Sequence, residues 1–229
     1  MTLEAITPVT HTYGQDSDQI YELYSPAESL SSQGPVVILI HGGYWRPIHD
    51  REHMRPLAAA LAAQGFTIAL AEYRRIPGDP IASMDDLHHL YSHFFPHNVV
   101  LVGFSAGGQL AIATTPFRFQ VSGILALAPV TDLVDSETRG CGEGAVNEWL
   151  QKPAIECEEF DPIRMDALDC PVFIIHGAND DRVPVEHSRA YAEKHGAAFL
   201  EISDIGHFEL MATEGESFDA IVQALNILA

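Results

Sequence analysis

The segment Gly103-Phe104-Ser105-Ala106-Gly107-Gly108 is the strongest indication of how this chain folds. It follows an apolar, strand-like run (residues 98–102) and precedes a helix-forming segment (residues 109–114). A strand that turns directly into a helix needs strained backbone angles and a close approach of the two elements. Small residues two positions before and two after the serine remove side chains that would collide there. The sequence therefore predicts a sharp strand–turn–helix with the Ser105 hydroxyl held clear of the sheet.

Strand-like and helix-like segments alternate through most of the chain. Further buried strands are predicted at residues 36–40, 66–70, 124–127, 172–176 and 198–202, and helices at 50–64, 83–95, 185–195 and 216–228. Such alternation is typical of right-handed crossovers and a mostly parallel sheet. Residues 9–13 and 19–24 read as strands joined by a turn, which predicts one antiparallel pair at an edge, and a polar loop follows at 26–34. The fold class is α/β, with eight strands and helices on both faces.

Residues 134–170 break this alternation. The segment is acidic, holds Gly140, Gly142, Gly144 and two prolines, and has one short helical piece at 146–150. Long connections in compact domains are often functional. We predict a single domain over residues 1–229, with 134–170 as a small lid-like insertion.

Composition narrows the range of partners. The 229 residues include 12 Lys plus Arg against 32 Asp plus Glu, a formal charge of −20. This excess argues against nucleic acid and anionic membranes, which reward positive charge. Residues 1–8 lack the features of a signal peptide, and no apolar stretch has the length of a membrane span. Three cysteines without the spacing of a metal site are typical of a reducing compartment, so we expect a cytoplasmic protein. A homodimer is compatible with the sequence.

Ligands of such sheets collect beyond the carboxyl ends of the strands, so partners for Ser105 are expected there. A serine hydroxyl becomes a good nucleophile when an imidazole accepts its proton and a carboxylate orients that imidazole. His207 follows the eighth strand and is the predicted base. Asp180 follows the seventh strand and is the predicted carboxylate that orients His207, because the pattern Asp-x-x-Val-Pro places the next helix directly after Asp180. Asp181 is the nearest competitor and Asp132 a weaker substitute.

The loop His41-Gly42-Gly43-Tyr44-Trp45, after the third strand, supplies the remaining part of this chemistry. The tetrahedral intermediate of acyl transfer carries an oxyanion that backbone N–H groups can stabilise. The expected donors are the N–H groups of Ala106, Gly43 and Tyr44, with His41 tying the loop down. Tyr44 and Trp45 are candidate substrate-binding residues, although Trp45 could equally pack beneath the pocket.

Two histidine clusters offer a competing interpretation. His49-Asp50-Arg51-Glu52-His53 fits the H-x-x-E-H pattern of some zinc proteases, but no downstream helix offers a clear third ligand. His88, His89 and His93 share part of a helix, and a solvated surface explains them better than a metal site. We therefore predict no metal and no organic cofactor.

The sequence resembles the α/β-hydrolase superfamily, and within it the esterase/lipase branch that includes kynurenine formamidases (arylformamidases). Besides the serine motif and the 41–45 loop, the resemblance is carried by Tyr13-Gly14, Leu23-Tyr24-Ser25-Pro26, and Tyr73-Arg74 followed by Pro77. It implies a triad of Ser105, Asp180 and His207 and hydrolysis of N-formyl-L-kynurenine to L-kynurenine and formate.

Two alternatives to this activity stay open. Related small esterases with this loop cleave acetyl, feruloyl or other carboxylic esters, so a general carboxylesterase is the first. A non-catalytic hydrolase-fold protein that binds a ligand or partner is the second, from another class.

Overall fold

The computed structural model describes residues 6–25, 34–115 and 121–229. Most of the polar loop predicted at 26–34 lies outside these residues. The strands are β1 (Val9–Thr12), β2 (Ile20–Tyr24), β3 (Val36–Ile40), β4 (Thr67–Ala71), β5 (Val99–Phe104), β6 (Gly123–Leu127), β7 (Val172–Gly177) and β8 (Ala198–Ile202). They form one sheet in the order β1-β2-β4-β3-β5-β6-β7-β8.

The strand pairing agrees with the predicted topology. β1 pairs antiparallel with β2, and β2 antiparallel with β4, whereas every pairing from β4 to β8 is parallel. The antiparallel pair β1–β2 therefore lies at one edge, as the short turn between the two strands predicts. β5 lies near the centre of the sheet, between β3 and β6, and carries the serine turn at its carboxyl end.

Seven α-helices connect or follow the described strands. They are α1 (Arg55–Ala63), α2 (Pro80–Phe94), α3 (Ala106–Thr114), α4 (Leu133–Arg139), α5 (Ala145–Leu150), α6 (Val185–His195) and α7 (Glu216–Leu228). No helix among the residues that the structure describes is both long enough and apolar enough to cross a membrane.

Side chains of β5 alternate between two apolar layers, one on each face of the sheet. Val99 and Leu101 pack with the layer that holds Leu90 of α2 and Leu110 of α3. Val100 and Val102 pack with the opposite layer, which α1 and α7 cover. Because successive strand residues point to opposite faces, a strand covered on both sides must be apolar throughout. All nine residues of α3 are buried, so the helix after the serine is held in the middle of the molecule.

The start of α2 differs from the prediction. The predicted helix starts at residue 83, where a serine could cap it, but the helix begins at Pro80, and Asp79 caps it by accepting a hydrogen bond from the Ala82 N–H at 3.3 Å. An Asp followed by Pro is the stronger start signal, because Pro presets the first helical φ. Ser83 instead donates its hydroxyl proton to the Arg74 carbonyl at 2.6 Å.

The 134–170 segment contains more structure than its sequence indicates. Besides α5, it includes most of α4 and two 3₁₀ turns, Ala154–Glu156 and Glu158–Phe160. Asp132 caps α4 by accepting from the Asp135 N–H at 2.8 Å, and Gly140 ends the helix at a φ of 66°. Trp149 and Phe160 are buried in the same apolar layer as α3. The insertion is therefore packed onto the main core.

Candidate active site

Ser105 stands at the turn between β5 and α3 in a strained conformation. Its φ is 57° and its ψ is −119°, a region that costs a non-glycine residue about 1–3 kcal/mol. A side-chain carbon added at Gly103 would lie 2.2 Å from the Gly107 carbonyl oxygen, and one at Gly107 would lie 2.3 Å from the Ile40 carbonyl oxygen. Only glycine fits either position, which explains the spacing of the two glycines around the serine.

The structure brings Asp180 and His207 together. Nδ1 of His207 lies 2.6 Å from Oδ2 of Asp180, and the Asp180 side chain is fully buried. Of the two alternatives, Asp181 is 78% exposed and pairs with Arg182 at 3.4 Å, and Asp132 caps α4. Asp180 is therefore the carboxylate that can fix the tautomer of His207.

His207 lies beside the serine turn. Its ring is 4.7 Å from the Phe104 ring, centroid to centroid, and both His207 and Ser105 are about 95% buried, with 5% and 3% exposed. Ser105 Oγ and His207 form no hydrogen bond within the part of the chain that the structure describes. Such contacts are often long without substrate and tighten in the reacting complex.

A second histidine, His176, contacts Asp180, and sequence reasoning missed it. Nε2 of His176 lies 3.1 Å from Asp180 Oδ2 and 3.1 Å from the Val183 carbonyl oxygen, so this nitrogen must carry a proton. On the other side of the ring, Nδ1 lies 2.7 Å from Ser188 Oγ. At the end of an apolar strand, His176 reads as an ordinary core residue. The one available signal was its spacing of four residues from Asp180.

Asp180 is held as a carboxylate. Burial pushes its pKa up, but hydrogen bonds from His176 and His207 outweigh burial, and the pKa of Asp180 lies well below its usual range. The N–H groups of Arg182 and Val183 add two more donors, each 2.8 Å from Oδ1. A charge with four donors stays ionised at neutral pH.

The 41–45 loop runs alongside the serine. A side-chain carbon at Gly42 would lie 3.0 Å from Ser105 Cβ. Gly43, Tyr44 and Trp45 have φ values of 113°, 54° and 56°, so three successive residues adopt left-handed backbone. The N–H groups of Gly43 and Tyr44 donate no hydrogen bond to another described residue, and Ala106 begins a helix, where N–H groups lack intrahelical acceptors. The three N–H groups predicted as oxyanion donors thus have no acceptor among the described residues, and the loop that carries two of them passes beside Ser105 at Gly42.

A buried ionic network fixes the start of this loop. His41 donates Nδ1–H to the Gly42 carbonyl at 2.6 Å, and its Nε2 lies 3.0 Å from Glu72 Oε1. Glu72 also pairs with Arg75 and Arg51. Burial raises the pKa of Glu72, but His41 and Arg75 outweigh burial and hold this pKa well below its usual range. His41 is fully buried, and its hydrogen bond to the Gly42 carbonyl holds the start of the loop in place.

Tyr44 and Trp45 take different places. Trp45 is 2% exposed, stacks on Trp149 and donates Nε1–H to Gln109 Oε1 at 3.0 Å, so most of its ring is packing. Both residues also line a small cavity with Cys141, Arg182 and Val183. Burial raises the pKa of the Tyr44 phenol. The packing interpretation of Trp45 therefore describes most of its ring, and substrate contact by Tyr44 and Trp45 stays a prediction.

The zinc-like histidine pattern does not assemble a site. His49 precedes the 3₁₀ turn Arg51–Met54 and packs against Gly43, whereas the ring of His53 faces His41 at 5.8 Å. Among the described residues, no group of three or more His, Cys, Asp or Glu side chains is placed to hold a metal ion.

This fold and the arrangement of these residues define an α/β-hydrolase of the esterase/lipase type. The chain belongs to the BD-FAE family, whose model matches residues 21–195. The resemblance to the superfamily is thereby confirmed.

Individual relatives are distant. Esterase LipC of Mycobacterium tuberculosis is 23% identical over 93% of this chain, which spans 63% of LipC. Kynurenine formamidase of Danio rerio is 23% identical over 87% of the chain and 74% of that enzyme. The crystal structure of esterase B from Lactobacillus rhamnosis aligns with a TM-score of 0.82 at 21% identity, covering 98% of this chain and 86% of esterase B. This last likeness shows the fold.

Proposed function

We propose that this protein is a serine hydrolase that cleaves a small formamide or carboxylic ester by acyl transfer, within a single domain over residues 1–229. Ser105 is the nucleophile, His207 the general base and Asp180 the residue that orients His207. The observation that carries the proposal is the 2.6 Å contact between Asp180 and His207 next to the strained turn at Ser105. The reaction needs neither a metal nor an organic cofactor.

The chemistry runs in two halves. Ser105 Oγ attacks the carbonyl carbon while His207 Nε2 accepts the hydroxyl proton, and the carbonyl electron pair moves onto oxygen. Collapse of this intermediate expels the amine or alcohol, which takes the proton from His207. Water then attacks the Ser105 ester with the same proton transfers, releasing the acid and restoring the serine.

The unpaired N–H groups of Ala106, Gly43 and Tyr44 are the proposed oxyanion donors. Each well-placed donor contributes about 3–4 kcal/mol to the stabilisation of the transition state. Because the loop and the serine turn are both held in strained conformations, the donors are aimed before the substrate arrives, which is the condition for this kind of catalysis.

N-formyl-L-kynurenine is the proposed substrate, and a general carboxylesterase acting on acetyl or feruloyl esters is the alternative. The 41–45 loop and the similarity to the Danio rerio kynurenine formamidase support the formamide.

Arg182 favours an aromatic substrate that carries a carboxylate. Its guanidinium carbon lies 5.9 Å from the centroid of the exposed Phe208 ring, and it lines the cavity with Tyr44. Its ion pair with Asp181 is long and exposed, and such pairs contribute little. Arg182 thus offers a cation beside the Phe208 ring and at the cavity that Tyr44 lines, in a protein with a formal charge of −20. N-formyl-L-kynurenine has both an aromatic ring and a carboxylate.

A substrate panel tests the proposal. N-formyl-L-kynurenine, p-nitrophenyl acetate and ethyl ferulate are compared by kcat/KM in the wild-type protein and in Ser105→Ala. We expect N-formyl-L-kynurenine to be preferred, and Ser105→Ala to lower turnover of every substrate by about 10³-fold or more. Preference for either ester would favour the carboxylesterase, and unchanged turnover in Ser105→Ala would reject the serine mechanism and favour the binding protein.

A matched pair of arginine variants tests the substrate. Arg182→Gln should lower kcat/KM for N-formyl-L-kynurenine about 10-fold more than for p-nitrophenyl acetate, because a charge-assisted hydrogen bond is lost only with the former. Arg189→Gln removes the same charge from an exposed pair with Glu201 and should change neither. Equal losses with both substrates would contradict a carboxylate contact.

Location and assembly belong to the same proposal. Cys141, Cys157 and Cys170 are all free thiols, which supports a reducing cytoplasm. A homodimer is tested by light scattering coupled to gel filtration, where a mass near 25.1 kDa would contradict it.

A further inference from the structure

The 134–170 insertion contacts the last two residues of the 41–45 loop, here called the oxyanion loop, and Arg46, which follows them. Gly142 lies against Tyr44, so closely that a side-chain carbon at Gly142 would be 2.4 Å from Tyr44 Cδ1. The indoles of Trp45 and Trp149 stack with centroids 4.5 Å apart and planes 7° from parallel. Arg46 donates Nε–H to Glu148 Oε2 at 2.7 Å. These three contacts, which we call the clamp, join the loop to the α4–α5 connection and to α5.

The clamp contacts the two loop residues, Tyr44 and Trp45, whose backbone is strained. Tyr44 and Trp45 have positive φ values, and neither is glycine, so the loop would relax if nothing held it. Trp45 and Trp149 are 2% and 1% exposed, which makes their stack a part of the core. A buried aromatic stack resists displacement more than an exposed contact does.

The clamp is also tied to the helix of the serine. Gln109 of α3 accepts from Trp45 Nε1 at 3.0 Å and donates Nε2–H to the Phe160 carbonyl of the insertion at 2.7 Å. One buried side chain therefore links the oxyanion loop, the helix after Ser105 and the insertion. These contacts favour a fixed support over a lid that opens.

We propose that the insertion holds the oxyanion loop in its active conformation, with Trp149 as a positioning residue that acts through Trp45. This inference rests on the proposed function for its effect on catalysis. The contacts themselves are open to measurement in the resting protein, independent of any substrate.

The test compares Trp149→Leu, Trp149→Phe and a matched core control, Phe94→Leu, which removes a buried aromatic ring that packs on Tyr21 of β2. With p-nitrophenyl acetate, Trp149→Leu should lower kcat by about 10–100-fold and change KM by less than about threefold, because oxyanion contacts are stronger in the transition state. Trp149→Phe keeps a flat ring and should restore most of kcat. Phe94→Leu should leave kcat near the wild-type value.

Two readouts need no catalysis. Trp45 and Trp149 are the only tryptophans in the chain, so a coupled pair of indole bands in the circular dichroism spectrum reports the stack alone, and it should vanish in Trp149→Phe. The Arg46 amide, which donates to the Gly43 carbonyl at 3.0 Å, should exchange its hydrogen at least about 10-fold faster in Trp149→Leu but not in Phe94→Leu.

A surface variant covers the case in which Trp149→Leu fails to fold. Glu148→Gln removes the ion pair to Arg46 without touching the core, and should lower kcat about two- to fivefold at low salt, with the difference fading at high salt. The proposal is overturned if Trp149→Leu loses no more kcat than Phe94→Leu, if only KM changes, or if Arg46 exchange is unaffected. Wild-type protein without turnover would reject the proposed function, and the exchange and dichroism results would then decide the clamp.

Discussion

Nε2 of His176 lies 3.1 Å from Oδ2 of Asp180, the same oxygen that lies 2.6 Å from Nδ1 of His207. One carboxylate oxygen thus accepts from two imidazoles, one buried behind it and one facing the serine turn. Because the Val183 carbonyl fixes the proton on His176 Nε2, the contact with Asp180 has a defined direction. This arrangement makes Asp180 a rigid acceptor for His207.

Asp180→Asn should lower kcat by about 10³–10⁴-fold, because an amide in this position favours the wrong tautomer of the histidine. The neighbouring variant Asp181→Asn is the control. Its side chain is exposed and should leave kcat within about twofold of wild type. Steady-state kinetics with one ester substrate checks both. An equal loss of kcat in the two variants would contradict the assignment of Asp180 as the residue that orients His207.

His176→Leu should lower kcat about 10-fold, because Asp180 loses a donor that fixes its orientation. His176→Gln can still donate an N–H to Oδ2 and should recover most of the loss. Comparing kcat for the two variants at matched folded fraction separates positioning from general destabilisation. A glutamine variant as impaired as the leucine variant would contradict the positioning role.

Asp161→Asn should stabilise the protein at pH 8. Burial raises the pKa of Asp161 to about 6, although a hydrogen bond from the Leu133 N–H at 2.9 Å opposes the rise. The pKa of this carboxyl is higher in the folded state than in the unfolded state, where it is near 3.9. The folded protein therefore loses stability as the pH rises from about 4 to about 6, because the buried carboxyl must ionise. Asparagine cannot ionise, still accepts from Leu133, and removes a cost of about 3 kcal/mol at pH 8.

Denaturant unfolding of Asp161→Asn and wild type at pH 5 and pH 8 measures this difference. The gain should be largest at pH 8 and shrink toward pH 4. Asp166→Asn removes the same formal charge from an exposed position and should show no such pH dependence. A gain that is constant across the pH range would show that ionisation of Asp161 is not its cause.

Gly107→Ala should destabilise the protein by about 3 kcal/mol or prevent folding, because the new carbon would meet backbone oxygens that cannot move aside. These are the carbonyl oxygens of Ile40 and His41, at 2.3 Å and 2.5 Å. Gly34→Ala is the control, since no described atom lies within 4 Å of a carbon added there. Thermal melting of the two variants tests the fit, and a wild-type melting temperature for Gly107→Ala would refute the geometry.

The sequence predicts best those features of the structure that depend on residues close together in the chain. The glycines around Ser105 and the alternation of apolar segments predict the turn and the sheet, because both depend on neighbouring residues. His176 could not be identified in this way, since a histidine ending an apolar strand resembles a core residue, and its four-residue spacing from Asp180 does not by itself indicate a contact. The stack of Trp45 on Trp149 joins residues 104 positions apart, and only the packing of the insertion brings them together.

Covalent labelling of the folded protein with a fluorophosphonate, followed by peptide mass spectrometry, shows whether Ser105 is an activated nucleophile. An activated serine next to His207 should react, and the adduct should map to Ser105 with one label per chain. Ser105→Ala should take up none. Absence of labelling in folded wild-type protein, or equal labelling of Ser105→Ala, would contradict the assignment of Ser105 as the nucleophile.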